Sequence, residues 1–309
     1  MSRDISYIVI TPVRNERGNL PRTIASFEAQ TVLPVRWVIV DDGSTDGTAE
    51  LVDEAAARFD WITAVHRADR GFRQPGTGVV QAFNEGLARV SGEAFDYMVK
   101  FDADLAFEAD YFERCFEKFE QNPRLGIGGG VICRREGDGL VVESHADPAF
   151  HVRGATKIYR RECWDQLGGL VVAPGWDTID ELKASMLGWE TMTFKDLKIH
   201  QLKDTGSADG NWRNWVKNGV ANYNSGYHPL FMAAKCGRRV FRRPYVLGGS
   251  ALAWGYLKGW LTRAPRPLGD DLIRFVQRHQ LNRLLGRDSL WSDVRKRAGS
   301  ASQSMARAV

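Results

Sequence analysis

The segment Lys100-Phe101-Asp102-Ala103-Asp104 ends an apolar run with two carboxylates spaced two residues apart. In extended backbone, side chains at that spacing share a face, so Asp102 and Asp104 can offer oxygens to one cation or to its waters. Hard cations favour this donor set. Mg2+ is commonly held by one or two carboxylates while substrate phosphates complete its shell, and Mn2+ accepts the same oxygens. A second acidic segment, Val40-Asp41-Asp42-Gly43-Ser44-Thr45-Asp46, also follows an apolar run. Ser44 and Asp46 read as turn and helix-cap residues. Asp42, at the strand end, is a fixed acceptor for a base imide or a ribose hydroxyl, the kind of group that selects a nucleoside.

Two loops extend this chemistry. In Thr11-Pro12-Val13-Arg14-Asn15-Glu16, Pro12 stiffens the loop and can form an apolar wall against a base, while Glu16 can reach a base or ribose. The loop from His66 to Gly78 holds three arginines and three glycines ahead of a helical pattern. Guanidinium groups bind phosphate in a fork and glycines permit close backbone approach, so Arg70 or Arg73, with Gly71 between them, can contact a diphosphate.

Together, the segments TPVRNE, VDDGSTDGT and FDADL resemble, in order and approximate spacing, the family 2 inverting glycosyltransferases of the GT-A fold, over about residues 5–200. The resemblance implies a nucleoside-diphosphate sugar donor framed by Pro12, Glu16 and Asp42, with Mg2+ or Mn2+ on Asp102 and Asp104. Lys100 and Ala103, beside that pair, are counted with the substrate-binding residues. It also implies a carboxylate base ahead of a helix, and the matching stretch is Gly175-Trp176-Asp177-Thr178-Ile179-Asp180-Glu181-Leu182. Asp180 is the first candidate, with Glu181 or Asp177 behind it; Trp176 and Asp177 also count as substrate contacts. This stretch departs from the more familiar Glu-Asp pair. His200, after another apolar run, falls where some GT-A enzymes supply a third metal ligand. The family often has Ala-Arg-Asn after the arginine loop, whereas this chain has Val79-Val80-Gln81, so the choice between Arg70 and Arg73 stays open.

Positioning these groups requires strands that end where the acids stand. Short β-branched runs at Tyr7–Thr11, Arg36–Val40, Ile62–His66 and Tyr97–Phe101 alternate with helical patterns, which predicts βαβ units and a mostly parallel central sheet flanked by helices. Leu20, Ile24 and Phe27 fall at helical spacing after Asn19 and Pro21; Ala49, Val52 and Ala56 do so after Asp46; a third helix is expected over 80–90. Beyond Asp104 the reading gives a helix near 109–120, a glycine-rich strand at 126–133, a strand and helix over 156–167, and a helix over 180–187 stopped by Gly188. These elements predict an α/β catalytic domain of the GT-A type over 1–210, with a nucleotide-binding half to about 105 and an acceptor half over 106–210. From 211 to 309 the pattern becomes a helical, aromatic and basic extension.

Composition bounds the partners. The 309 residues are 43% apolar, enough for a sizeable core, and Lys plus Arg exceeds Asp plus Glu by only 42 to 38. With so small an excess no nucleic-acid partner is expected, although it gathers in the tail from Arg238 onward. The four cysteines form no CxxC pair, and the N-terminal segment lacks the pattern of a secretory signal, so a cytoplasmic location is expected. Trp212-Arg213-Asn214-Trp215 and the run Tyr245–Trp260, with Arg242, Arg243, Lys258 and Arg263 about it, set aromatics beside cations. That mixture suits the inner face of an anionic membrane holding a lipid-linked acceptor, or an amphipathic helix packed on the catalytic domain beside a saccharide acceptor. The run is shorter than the roughly 20 residues of a span. Two other functions compete. A nucleotidyltransferase would carry a glycine-rich phosphate loop at the first strand, which TPVRNERGN lacks. A non-catalytic carbohydrate-binding protein could use the ten tryptophans as stacking platforms, but would have no need of Asp102, Asp104 and an acid near Asp180.

Overall fold

The computed structural model describes residues 5–72, 76–137, 139–143, 148, 150–203, 211–241, 245–264 and 266–292. The β-branched and aromatic runs form β1 (Tyr7–Val13), β2 (Arg36–Asp41), β3 (Ile62–His66) and β4 (Tyr97–Phe101). They are linked by α1 (Leu20–Glu28), α2 (Thr48–Arg58) and α3 (Thr77–Arg89). Pro21 falls in the first turn of α1, where a missing N–H costs nothing. There follow β5 (Leu105–Ala106), α4 (Tyr111–Gln121), β6 (Leu125–Glu136), β7 (Gly139–Val142), β8 (Thr156–Arg160), α5 (Arg161–Leu167), α6 (Trp176–Met186) and β9 (Glu190–Gln201). The remaining helices are α7 (Asn211–Asn224), α8 (Pro229–Val240), α9 (Tyr245–Leu261) and α10 (Asp270–Leu284).

The strands form one sheet in the order β3-β2-β1-β4-β8-β6-β9-β5, with β7 paired to β6. β1 to β4 are mutually parallel; β8 runs antiparallel to β4 and β6, β9 is parallel to β6, and β5 is antiparallel to β9. β1 lies between β2 and β4, so the chain leaves it in opposite directions across the sheet. The carboxyl ends of β1 and β4 therefore flank a topological switch point, where ligands of open α/β sheets collect. The β1–β4 ladder ends at Ile10 opposite Lys100, while β1 continues beside β2 as far as Val13 opposite Asp41. Pro12 sits past the β4 ladder, so its missing donor breaks no bond there.

Aromatic packing fixes the sheet against its helices. Phe27 of α1 lies 4.1 Å from Trp37 of β2 between ring centroids, and Phe112 and Phe116 of α4 lie 4.8 and 5.0 Å from Tyr7 of β1. Tyr111, Phe112, Cys115, Phe116 and Phe119 are all buried, an apolar stripe at helical spacing that lays α4 on the sheet.

β3 and β4 span the residues expected of them. β1 and β2 run further than expected because Pro12 and Val13 pair with Val40 and Asp41. β6 runs past Cys133 to Glu136 because β7 turns back to pair with it. The helix expected from Asp180 begins at Trp176, so Asp180 lies in the helix interior, past its N-terminal cap position.

The chain divides into two compact units. The first comprises residues 1–146, 152–172 and 183–205, which hold the whole sheet; the second comprises 206–309 with the segments 147–151 and 173–182. The segment 173–182, which carries Trp176, Asp177, Asp180 and Glu181, thus belongs with the C-terminal helices, not with the sheet. Within the second unit α9 packs on α7 and α8, and Tyr227, Phe231 and Trp291 form an aromatic cluster with centroids 5.3–5.9 Å apart.

Candidate active site

Asp102 and Asp104 follow β4 at the switch point. Asp104 is 8% exposed, and the Asp102 side chain, 33% exposed, accepts from the ammonium of Lys100, itself buried in β4. Gln201, at the end of β9, donates from its amide to Asp104 Oδ2 at 3.1 Å. Glu16 accepts from Asn19 Nδ2 and from Lys203 Nζ, each at 2.8 Å. Burial, followed by the charge of Asp102 and then that of Glu16, pushes the Asp104 carboxyl up to about 6 against the opposing Gln201 bond. Asp102 and Asp104 thus share one strand end with Glu16 in electrostatic reach, an arrangement that a positive charge relieves. The two carboxylates fit a hard divalent cation with phosphates and waters in its remaining positions.

His200 does not join them. Side chains alternate along β9, so Gln201 on the face of Ile199 reaches Asp104 while His200 points to the other face. Burial, then the charges of Arg22 and Arg135, lower its pKa. Among the described residues no three His, Cys, Asp or Glu side chains form a group that could hold an ion.

Asp42 is held by the arginine loop. Arg70 grips its carboxylate with both terminal nitrogens, Nη1 at 2.9 Å from Oδ1, and Arg67 Nη1 also donates to Oδ1 while its Nε bonds Glu85 at 2.8 Å. Arg14 donates to the Asp42 carbonyl and to Asp69 Oδ1, the latter at 2.6 Å. Asp69 also accepts from the backbone N–H of Gly71 at 2.9 Å. Gly43 makes this packing possible: its φ is 72°, and a Cβ there would meet the Asp69 backbone at 2.5 Å. In this geometry Arg70 orients Asp42, and Arg73 lies outside the described residues. Asp46 accepts from the Thr48 hydroxyl and N–H at 2.5 and 3.1 Å and so opens α2, while Ser44 Oγ accepts from Asn15 N at 2.9 Å. Sequence reading missed Arg14, Arg67, Gln201 and the fully buried Lys157, which lies opposite Lys100 in register. Alternation along β9 was the available signal for Gln201.

The acids of α6 differ in access. Glu181 is fully buried, and its Oε2 lies 2.9 Å from His151 Nδ1. Asp180 is buried and accepts from the Glu181 N–H at 2.7 Å. Asp177, in the first turn beside buried Trp176, is half-buried. The Tyr227 hydroxyl is raised by burial, then by the charges of Glu181 and Asp177, which places it near both acids.

α9 inverts the usual pattern of a surface helix. Its inward residues are small, Gly248, Gly249, Ala251, Gly255 and Gly259 with Leu252, whereas Val246, Leu247, Trp254, Leu257, Trp260 and Leu261 stand exposed, the two tryptophans at 50% and 58%. Among the described residues no helix is long and apolar enough to cross a membrane.

A family model described as glycosyl transferase family 2 matches residues 8–172, more than half of the chain. A polyprenol monophosphomannose synthase of Mycolicibacterium smegmatis is 32% identical over 126 residues, 40% of this chain and 45% of that protein. A poly-β-1,6-N-acetyl-D-glucosamine synthase of Staphylococcus aureus is 29% identical over 116 residues, 38% of this chain and 26% of that protein. These matches reach less than half the length of either relative. A mannosyltransferase of Pyrobaculum calidifontis solved with GDP-Man and Mn2+ shares the fold at a TM-score of 0.54 and 20% identity, covering 98% of this chain and 80% of its own. TarS of S. aureus, solved with UDP-GlcNAc, does so at 0.52 and 13%, covering 89% and 83%. With the mixed sheet, its switch point and the family match over the sheet-bearing residues, the chain has a GT-A-type fold and belongs to glycosyl transferase family 2.

Proposed function

We propose that the chain transfers a glycosyl group, with inversion, from a nucleoside-diphosphate sugar to an acceptor hydroxyl in polysaccharide or glycolipid assembly. The observation that carries this reading is the placement of Asp102 and buried Asp104 together just past β4 at the switch point, with Gln201 bonded to Asp104. Asp102 and Asp104 would hold Mg2+ or Mn2+, which when bound offsets the charge developing on the leaving diphosphate. Gln201 fixes the Asp104 carboxylate. Asp42, oriented by Arg67 and Arg70, accepts from the base or ribose, and Pro12 supplies an apolar wall. The two curated relatives support the assembly context, since one is named for a lipid-linked product and the other for a polysaccharide.

The burial of Asp180 and Glu181 moves the base role from those acids to Asp177. A base must come within hydrogen-bond reach of the hydroxyl it deprotonates. Of the three acids only Asp177 combines partial exposure with a place in the first turn of α6. Glu181, held by His151, and Asp180 then position the helix. The outward apolar face of α9, with Lys258 and Arg263 near its end, is read as a peripheral contact with an anionic membrane surface, where a lipid-linked acceptor would be met.

The test is release of nucleoside diphosphate from GDP-mannose and UDP-N-acetylglucosamine, the donor chemistries of the two fold relatives, with Mn2+, with Mg2+ and with chelator. Release should require metal. Asp177→Asn should lower kcat by roughly a hundredfold or more with little change in donor KM, the usual size for loss of a general base. Release undiminished by chelator contradicts the metal role, and an unchanged kcat contradicts the base assignment.

A further inference from the structure

α9 ends on an unusual residue. Thr262 N donates to Lys258 O and Ala264 N to Gly259 O, each at 3.0 Å, while Arg263 takes the left-handed conformation at φ 47°. Glycine is favoured at that position after a helix because it has no Cβ to clash. An arginine there carries backbone strain, and strain of this kind gathers where a side chain is put to use.

Arg263 lines a cavity of about 750 Å3 together with Tyr223, Trp260, Leu261, Arg266 and Asp270. The Arg266 guanidinium carbon lies 4.3 Å from the centre of the Tyr223 ring. Its Nε is buried and has no hydrogen-bond partner among the described residues. A buried donor left unpaired is costly, and a ligand acceptor would remove that cost. Two guanidinium groups against the one carboxylate of Asp270 leave the wall cationic. Trp260 and Leu261 belong both to this wall and to the exposed stripe of α9, so cavity and apolar face are continuous through them.

We propose that this cavity seats the phosphate of an anionic lipid headgroup while the α9 face rests in the bilayer interface. Guanidinium forks match phosphate oxygens. Tryptophans such as Trp254 and Trp260 sit at the headgroup level of a membrane, and the 17 residues of α9, about 25 Å long, suit a helix lying in the interface plane. The proposal rests on the reading of α9 as an interfacial helix, and the variants below separate the two.

The full chain is cosedimented with vesicles of phosphatidylcholine alone and of phosphatidylcholine containing phosphatidic acid. Losing one cation near an anionic surface weakens binding roughly fivefold, and Lys258→Gln sets that diffuse scale. Arg263→Gly and Arg266→Gln should each lose more than tenfold on the acid-containing vesicles and nothing on the neutral ones. Arg263→Gly should also melt no lower than the parent, because glycine relieves the strain. Losses no larger than that of Lys258→Gln, or equal on both vesicles, overturn the proposal. A thermal shift by millimolar inorganic phosphate that vanishes in Arg266→Gln assigns the cavity to a soluble phosphate and likewise overturns it. Trp254→Ser with Leu257→Ser should lose binding to both vesicles; unchanged binding in that variant defeats the α9 reading itself.

Discussion

Asp104 is enclosed at the end of a strand with Asp102 and Glu16 in electrostatic reach, and its proton is held to about pH 6. Since that value lies above the ordinary 3.8 of an unfolded aspartate, the folded chain binds this proton more tightly than the unfolded one. The resulting stabilisation is complete below about pH 4 and is lost as pH rises through about 6. In chelated protein the melting temperature of the parent, measured against Asp104→Asn, should therefore fall across that window, and saturating Mn2+ should abolish the fall. A parent and variant that track each other at every pH would show that the carboxylates are not crowded. Part of this site was legible from residue order alone. Asp102, Asp104, Asp42 and Pro12 stand at the strand ends where the spacing put them. What was not legible was pairing between distant segments: that Arg70 would grip Asp42, that Gln201 would reach Asp104 in place of His200, and that Glu16 would lie near the acidic pair. Those contacts depend on the sheet order, which brings β9 and the arginine loop to the switch point from remote parts of the chain.

At the scale of elements, the βαβ half was readable because alternating β-branched runs and amphipathic helices agree with one another over residues 7–101. Beyond β4 the reading weakened. β5 has two residues, β7 is exposed over most of its length, and α6 begins at Trp176 ahead of any capping signal, so none has the periodicity on which sequence inference depends. α9 is the clearest departure from ordinary patterning, with glycine inside and tryptophan outside. Gly255 and Gly259 are required by close crossing of α7: a Cβ on Gly255 would meet the Val216 carbonyl oxygen at 2.1 Å. Gly255→Ala should therefore destabilise the helical unit by about 1–3 kcal/mol, the usual cost of overpacking, read as a lower urea midpoint. An unchanged midpoint would mean that the helices can separate without penalty.

At the scale of the whole molecule, a sheet-bearing unit carries the residues proposed to hold donor and cation, and a helical unit carries the acids of α6 and the apolar face of α9. The sequence reading placed 173–182 in the acceptor half of the catalytic domain, within its resemblance; by packing that segment groups with the C-terminal helices. The account's central claim is that Asp102 and Asp104 hold a divalent cation on which the donor diphosphate is bound. Calorimetric titration of GDP and UDP into the protein, with Mn2+ and with chelator, tests it most directly. The account predicts that at least one of the two binds with Mn2+, that chelator removes this binding, and that Asp104→Asn abolishes it while the melting temperature changes by only a few degrees. Equal affinity with and without metal, or undiminished binding by Asp104→Asn, would contradict it.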